Sequence, residues 1–361
     1  MGDAALDALT ARVQAAQADG TALCIQGGGT KTFYGEAPRG EPLDVRGLNG
    51  ISSYEPSELV VTVRAGTPLQ ELEDTLAERN QCLLFEPPRF GPGGTVGGMV
   101  AAGLAGPSRA CVGGLRDYVL GASLLNGRAE VLSFGGQVMK NVAGYDVSRL
   151  LAGSMGLLGV ILEVSLKVLP RARASATLRF ELDAAEALRR LNGWAGQALP
   201  LSASAWWSGM LVLRLAGAEA AVQSAQQRLG GEVVAPELAA AFWGGLRDHS
   251  DEFFAGAARA VQTGATLWRL SLPQTAPALM LSGEQLIEWG GAQRWVATSA
   301  PGAALREAAA RVGGHATAFR GDKSGGAFSP LTPAVARLHR ELKQAFDPRR
   351  VFNPGRLYPD L

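Results

Sequence analysis

The residues best placed to do chemistry are Gly27-Gly28-Gly29-Thr30-Lys31, which follow the strand-like run Ala22-Leu23-Cys24-Ile25. Successive glycines can turn several backbone N–H groups toward one anion, a geometry that suits a pyrophosphate. The run lacks the G-x-x-x-x-G-K-[ST] spacing of a nucleotide-hydrolase loop, and no G-x-G-x-x-G opens a helix as in a βαβ dinucleotide fold. Two readings stand: a dinucleotide held by bare peptide in another architecture, or an ordinary glycine loop. A second cluster supports the first. Gly91-Pro92-Gly93-Gly94-Thr95-Val96-Gly97-Gly98 runs into Met99-Val100-Ala101-Ala102-Gly103, where nearly every side chain is small and something large and flat can approach the backbone.

The elements that must position these loops can be read from periodicity. Leu6, Leu9 and Val13 recur at helical spacing before the first strand. Leu59 to Val63 is a β-branched run, after which Thr67-Pro68-Leu69-Gln70 reads as a capping box with proline at the first helical position. A helix with Leu69, Leu72 and Leu76 inward follows. Asn126-Gly127 between Val119–Leu125 and Arg128–Phe134 predicts a two-residue hairpin turn. Val160, Leu162, Val164, Leu166 and Val168 alternate with polar residues in a strand stopped by Pro170. The pattern restarts beyond it, with strands at Ala176–Leu182, Ala203–Trp207, Met210–Ala216 and Thr266–Leu272. Helices are expected around Leu188 and Leu191, over Ala218–Leu229, between Pro236 and Gly264, and over Thr332–Phe346. Phe242, Trp243, Phe253 and Phe254 read as core or domain contact.

Bulk properties narrow the function. With 361 residues, 47% of them apolar and 19% charged, the chain is long enough for two domains with proper cores. A formal charge of +1 without basic runs gives no reason to expect nucleic acid as a partner. Three scattered cysteines, Cys24, Cys82 and Cys111, argue against a disulfide framework, a zinc site or a chain-encoded iron–sulfur cluster, and fit a reducing cytoplasm. Met1 to Val13 has no basic segment followed by an apolar core, and no stretch approaches the ~20 apolar residues of a membrane span. The expectation is a cytoplasmic protein with at most a peripheral association at the inner face of the cell membrane.

Taken in order, the motifs resemble the FAD-binding domain of the vanillyl-alcohol oxidase type, also called PCMH-type. They are Gly27 to Lys31; Val63-Arg64-Ala65-Gly66; Glu86-Pro87-Pro88; Gly94-Thr95-Val96-Gly97-Gly98; and Gly114-Leu115-Arg116-Asp117-Tyr118-Val119-Leu120-Gly121. Lys140-Asn141-Val142-Ala143-Gly144-Tyr145-Asp146 and Gly153-Ser154-Met155-Gly156-Leu157-Leu158-Gly159-Val160-Ile161 close the series. Within that family the chain looks most like the FAD-binding E subunits of bacterial glycolate oxidases. That closer likeness rests on Leu267 to Pro273, Glu288 to Trp295, and the tail Phe346 to Arg356.

The resemblance implies an α+β fold. A PCMH-type FAD-binding domain of two α/β subdomains would span residues 1–172. A smaller domain of antiparallel sheet plus helices, of the FAD-linked oxidase C-terminal type, would span 173–330, and a helix and tail over 331–361 would return to the flavin domain. FAD is expected to bind noncovalently, because the glycine loop carries neither histidine nor cysteine. Backbone amides at Gly27, Gly28, Gly29 and Thr30 would meet the pyrophosphate; Lys31 either adds charge there or is a solvated lysine. Thr95, Gly97 and Gly98 would supply donors and room near the ribityl chain and ring, beside Gly94, Ala101 and Ala102. Pro88, Gly144, Tyr145 and Asn353 are implied as further contacts, and Gly156, Val160 and Ile161 as the adenine side. Arg116 and Asp117 either line the flavin cavity or form a structural ion pair.

Oxidising a 2-hydroxy acid asks for a cation on its carboxylate and a base for its hydroxyl proton. Relatives that perform this step carry a His-x-Gly-Asp-Gly motif and metal-ligating histidines. This chain has three histidines, His249, His315 and His339, and no metal triad can be assembled at familiar spacings. Arg269, Arg294 and Arg320 are the candidate carboxylate clamps, unless they salt-bridge or stack on aromatic neighbours. His315 is the candidate base, or a hydrogen-bonded surface histidine. The resemblance therefore implies a FAD-binding oxidoreductase subunit acting on glycolate or D-lactate, beside a second FAD-linked catalytic subunit and an iron–sulfur subunit. A self-sufficient oxidase and a non-catalytic scaffold are the competing readings.

Overall fold

Asp3 starts the first helix, α1 (Ala4–Asp19), by accepting the Ala5 and Leu6 N–H groups at 3.2 and 3.4 Å, and Gly20 ends it at φ 77°. The computed structural model describes residues 3–136 and 146–361, so Gly144 and Tyr145 lie outside the described residues. The buried Leu9, Val13 and Ala16 of α1 cover β1 (Leu23–Gln26) and β2 (Glu41–Asp44), which pair in parallel.

The chain continues through β3 (Ile51–Glu55), β4 (Val60–Arg64), α2 (Leu69–Glu78), β5 (Gln81–Cys82), α3 (Val96–Ala102), α4 (Arg109–Val112), β6 (Val119–Leu125), β7 (Val131–Gly135), β8 (Val160–Lys167) and β9 (Leu169–Pro170). Strands β3-β4-β8-β6-β7 form a five-stranded antiparallel sheet. Leu69, Leu72 and Leu76 of α2 and Val96, Met99 and Val100 of α3 pack on it.

A second sheet follows, built from β10 (Ala174–Glu181), β11 (Leu201–Trp207), β12 (Met210–Gly217), β13 (Glu232–Val234), β14 (Thr266–Ser271), β15 (Glu284–Glu288), β16 (Gln293–Thr298) and β17 (His315–Arg320). Its eight strands run in the order β13-β10-β12-β11-β15-β16-β14-β17, antiparallel throughout. Helices α5 (Ala184–Ala195), α6 (Glu219–Leu229), α7 (Pro236–Asp248), α8 (Glu252–Gln262) and α9 (Gly302–Arg311) accompany it, and α10 (Pro333–Phe346) leads to the tail. One core joins the two halves: Tyr34, Ala102, Leu104, Met155 and Leu157 pack with Phe254, Trp295 and Phe319.

Two local expectations need correction. Thr67 does not cap α2, which begins at Leu69 with no side-chain cap. Its hydroxyl instead bridges the backbone of Gly50, accepting from N–H at 2.9 Å and donating to C=O at 3.1 Å. The β6–β7 connection spans residues 126–130 rather than two residues. Asn126 Oδ1 accepts the N–H groups of Arg128 and Glu130, and the left-handed residue is Ala129 at φ 60°. Gly127 serves the tail: a Cβ there would lie 2.3 Å from an Asp347 carboxylate oxygen.

That tail is held by a buried ion pair. Lys343 Nζ donates at 2.8 Å to Asp347, to the Leu157 carbonyl and to the Phe352 carbonyl, and Asp347 accepts the N–H groups of Val351 and Phe352. Neither side chain is more than 2% exposed. Breaking one partner of such a pair leaves an uncompensated buried charge, at a cost of ~3–5 kcal/mol. Lys343→Met should therefore lower unfolding free energy by about that amount in urea denaturation, whereas a change below ~1 kcal/mol would remove the pair from this role.

Candidate functional site

The loop after β1, the start of α3, the 155–161 segment and the tail enclose one cleft of about 900 Å³, counting its open mouth. Among the residues singled out from sequence, Gly27, Gly28, Gly29, Thr30, Lys31, Thr95, Gly97, Gly98, Ala101, Ala102, Gly156, Ile161 and Asn353 all line it. The backbone N–H groups of Gly28, Gly29, Thr30 and Lys31 donate to no other described residue. Gly29 is exposed and the other three are half-buried, so water or an anionic, strongly accepting ligand can take these donors.

The glycines here have different physical reasons. A Cβ on Gly28 would fall 1.6 Å from the Gly93 carbonyl oxygen, and one on Gly27 would fall 2.3 Å from Thr95 Oγ1. These two are glycine because the two loops touch. Gly98 instead has only Thr95 Oγ1 near its Cβ position, at 3.2 Å. The α3 end supplies room rather than donors: Val96 N–H goes to Thr67 O at 2.9 Å, Gly97 N–H to Ala65 O at 2.7 Å, and Gly98 N–H to Thr95 Oγ1 at 3.2 Å. That corrects the expectation that Gly97 and Gly98 donate to a ligand.

Asn353 shapes the far wall. Its Oδ1 accepts the Ile25 N–H at 2.8 Å and its Nδ2 donates to the Met155 carbonyl at 2.6 Å, so the tail joins β1 to the 155–161 segment. Burial depresses the Lys31 ammonium to about 8, against a smaller opposing effect of Asp248. Sequence reasoning missed several lining residues, among them Cys24, Thr32, Ala65 and Arg356. Arg356 closes the same Asn353-Pro354-Gly355-Arg356 run that carried Asn353, which was the available signal.

Other expected contacts lie elsewhere. Val160 is fully buried in the layer beneath α1, because β-strand alternation sends it to the face opposite Ile161. Pro88 is buried but does not line the cleft, and Gly94 abuts the glycine loop, its Cβ position 3.3 Å from Thr30 Oγ1. Arg116 and Asp117 are exposed, and the Asp117 carboxylate accepts the Gly114 N–H at 2.9 Å.

None of the candidate catalytic residues lines the cleft. The Arg269 guanidinium lies 5.5 Å over the Tyr34 ring and 5.7 Å over Phe319, and donates to the Tyr34 hydroxyl at 3.0 Å. Arg320 sits 3.4 Å over Phe33. Both therefore stack on aromatic rings. Arg294 is excluded as a carboxylate clamp by strand parity: it pairs with Leu270, on the face of β16 opposite Trp295 and Arg269. Fully buried, it donates to the carbonyls of Gly291, Pro277 and Ala276 at 3.3, 2.6 and 2.7 Å. His315 is exposed at the start of β17. The unexpected histidine is His249, stacked 3.7 Å from Phe254 and 4.8 Å from Trp295. Burial first, then the charges of Arg320 and Arg269, drive its pKa far below the ordinary range, so it stays neutral. No group of three or more metal-ligating side chains occurs among the described residues.

Comparison with known proteins agrees with this geometry. A family model described as FAD binding domain matches residues 5–135. Glycolate oxidase subunit GlcE of Escherichia coli (strain K12) is 48% identical over 354 residues, covering 98% of this chain and 97% of that protein. Glycolate oxidase subunit GlcD of Bacillus subtilis (strain 168) is 31% identical over 156 residues, or 42% of this chain and 33% of that one. D-lactate dehydrogenase of Anaerostipes hadrus is 34% identical over 131 residues, 36% of this chain and 27% of that one. In fold, the chain is similar to an alkyldihydroxyacetonephosphate synthase structure with TM-score 0.62 at 15% identity, covering 96% of this chain and 75% of that one.

Gly98 gives a direct test of the cleft. Gly98→Leu should lower FAD affinity at least ~10-fold, measured by flavin fluorescence titration, while leaving the unfolding midpoint of the cofactor-free protein within a few degrees. Unchanged affinity would take the start of α3 out of the cofactor site. Gly28→Ala is a poorer probe, because it must displace the Gly93 backbone whatever binds.

Proposed function

This chain belongs to the PCMH-type FAD-binding flavoprotein family, on the branch of the glycolate oxidase E subunits, and from that membership we propose that it carries FAD as an electron relay within a glycolate-oxidising complex. Its cofactor is FAD, which when bound supplies a two-electron acceptor able to release electrons one at a time. The complex would oxidise glycolate, with D-lactate as a second substrate, and pass electrons to an iron–sulfur subunit alongside a second FAD-linked catalytic subunit. We place it on the cytoplasmic side of the cell, with at most a peripheral membrane contact; no helix among the described residues is long and apolar enough to cross a membrane.

The cleft residues divide the work of holding the cofactor. The free amides of Gly28 to Lys31 and the Lys31 ammonium would take the diphosphate. The absent or small side chains of Gly97, Gly98, Ala101 and Ala102 leave the wall beside them flat, and Gly156 and Ile161 would receive the adenine side. Binding is noncovalent in this proposal, since the glycine loop carries neither histidine nor cysteine and no histidine of the described residues lines the cleft. Residues 1–172 would form the flavin-holding unit, 173–330 the covering unit and 331–361 the returning helix and tail.

One observation favours a relay over a self-sufficient oxidase. On the side where a 2-hydroxy acid would meet its carboxylate clamp and base, the arginines are stacked on Phe33, Tyr34 and Phe319, and the only deeply placed histidine is neutral and packed face to face with Phe254. Among the described residues of that side, both arginines are held against aromatic rings and the deep histidine is packed against Phe254. Anaerobic mixing with glycolate or D-lactate should leave the flavin of the isolated chain oxidised and should bleach it when the partner subunits are present. Bleaching of the isolated chain at the rate of the complex would establish a self-sufficient oxidase, and a colourless protein that takes up no FAD would establish a scaffold.

The Lys31 shift adds a pH signature. A lysine depressed to about 8 is charged below that pH and neutral above it, so an anionic ligand should bind tightly at pH 7 and progressively more weakly above pH 8. FAD dissociation constants should rise by up to ~10-fold per pH unit above that point. Lys31→Met should flatten the dependence, and a wild-type constant that is flat to pH 9.5 would remove Lys31 from the contact.

A further inference from the structure

Among the described residues the cleft is lined by two charged side chains, Lys31 and Arg356, and by no carboxylate. Arg356 comes from the C-terminal tail and is only 7% exposed. Its Nη2 donates to the Thr32 carbonyl at 2.8 Å, while its buried Nη1 has no partner. No carboxylate of the described residues forms an ion pair with it. Of the two acidic groups nearby, Cys24 and Glu36, the Glu36 carboxylate turns instead to the Ala327 N–H at 2.5 Å. A guanidinium withdrawn from water with one donor arm idle and no counter-ion is unfavourable unless a ligand supplies the missing charge.

Those features fit an anion of two charges. A diphosphate bridge carries about two negative charges at neutral pH, and the cleft offers two unpaired cations, one from each end of the chain. Arginine suits the task because its planar donors match phosphate oxygens. We infer that Arg356 binds the diphosphate of the cofactor from the C-terminal tail, as the counterpart of Lys31 on the glycine loop. The tail is then part of the binding site as well as its brace: Asn353 fixes β1 against the 155–161 segment, and Arg356, three residues on, closes the charge balance.

The inference rests on this cleft being the FAD site, and its test reads binding rather than turnover. FAD, ADP, riboflavin and adenosine are titrated against the wild-type chain, Arg356→Met and Arg356→Lys, with thermal unfolding of each cofactor-free protein measured alongside. Loss of a charge-assisted hydrogen bond to phosphate predicts a ~10–100-fold weaker FAD and ADP for Arg356→Met. Riboflavin and adenosine, which lack the bridge, should stay within threefold, and Arg356→Lys should fall between. Because the idle buried charge offsets the single bond to the Thr32 carbonyl, Arg356→Met should keep the unfolding midpoint of the cofactor-free protein within a few degrees. FAD and ADP affinities within threefold of wild type would overturn the inference, as would an equal loss for adenosine, which would move the contact to the ribose or adenine. A folded wild-type chain that binds neither FAD nor ADP would remove the cofactor site itself, and the inference with it.

Discussion

Four consecutive peptide N–H groups, from Gly28 to Lys31, have no acceptor among the described residues, and much of the first half is arranged around them. Each such group, once withdrawn from water, costs free energy comparable to a lost hydrogen bond. The fold tolerates the run because the cleft opens to solvent and because a ligand with several acceptor oxygens satisfies it collectively. The close approach of the glycine loop to Gly93 and Thr95 holds the donors in place, and it excludes any side chain at Gly27 or Gly28. At the neighbouring start of α3 the N–H groups are already spent on Thr67, Ala65 and Thr95, so the two halves of the cleft wall differ: one is hungry for an anion and the other is flat and satisfied.

The second dependence is long in sequence and short in space. The Lys343–Asp347 pair ties the end of α10 to Leu157 and Phe352, and Asn353 ties the tail to Ile25 and Met155. The cleft is thus assembled from residues near 25, 95, 155 and 353, and none of these pieces makes it alone. From the other side, the eight-stranded sheet presses Phe319, Arg269 and Arg320 onto Phe33, Tyr34 and Phe90, with Trp295 packed edge-on against Phe319. A surface packed in this way rigidifies the loop that follows the glycines. It also commits Arg269 and Arg320 to aromatic rings, which is why the proposed role is to hold a flavin and relay its electrons.

Much of this was legible in the sequence wherever local physics decides the outcome. Glycines in succession, the alternation of Val160 to Val168 and the leucine spacing of α2 located the loop, the strand and the helix that frame the cleft. Ser208-Gly209 joins β11 to β12 with both residues left-handed, at φ 49° and 79°, as a two-residue hairpin requires. Asn126-Gly127 carries the same local signal and forms a longer loop, because Asn126 spends its side chain on Arg128 and Glu130 and Gly127 yields space to Asp347. Tertiary demand there outweighs turn chemistry. Arg294 and Trp295 are neighbours in sequence but face opposite sides of the sheet, a distinction that needed the strand register before it could be drawn. The run that carries Arg356 stood out in the sequence, but its idle donor is evident only once the tail is seen lying on the cleft.

Amide hydrogen exchange at the glycine loop, compared between the cofactor-free and FAD-loaded protein, tests the central claim most directly. The account predicts that Gly28, Gly29, Thr30 and Lys31 exchange rapidly without FAD and slow at least ~100-fold with it, while Val96 and Gly97, already bonded to carbonyls, are protected in both states. Exchange at Gly28 to Lys31 that is unchanged by saturating FAD would contradict it.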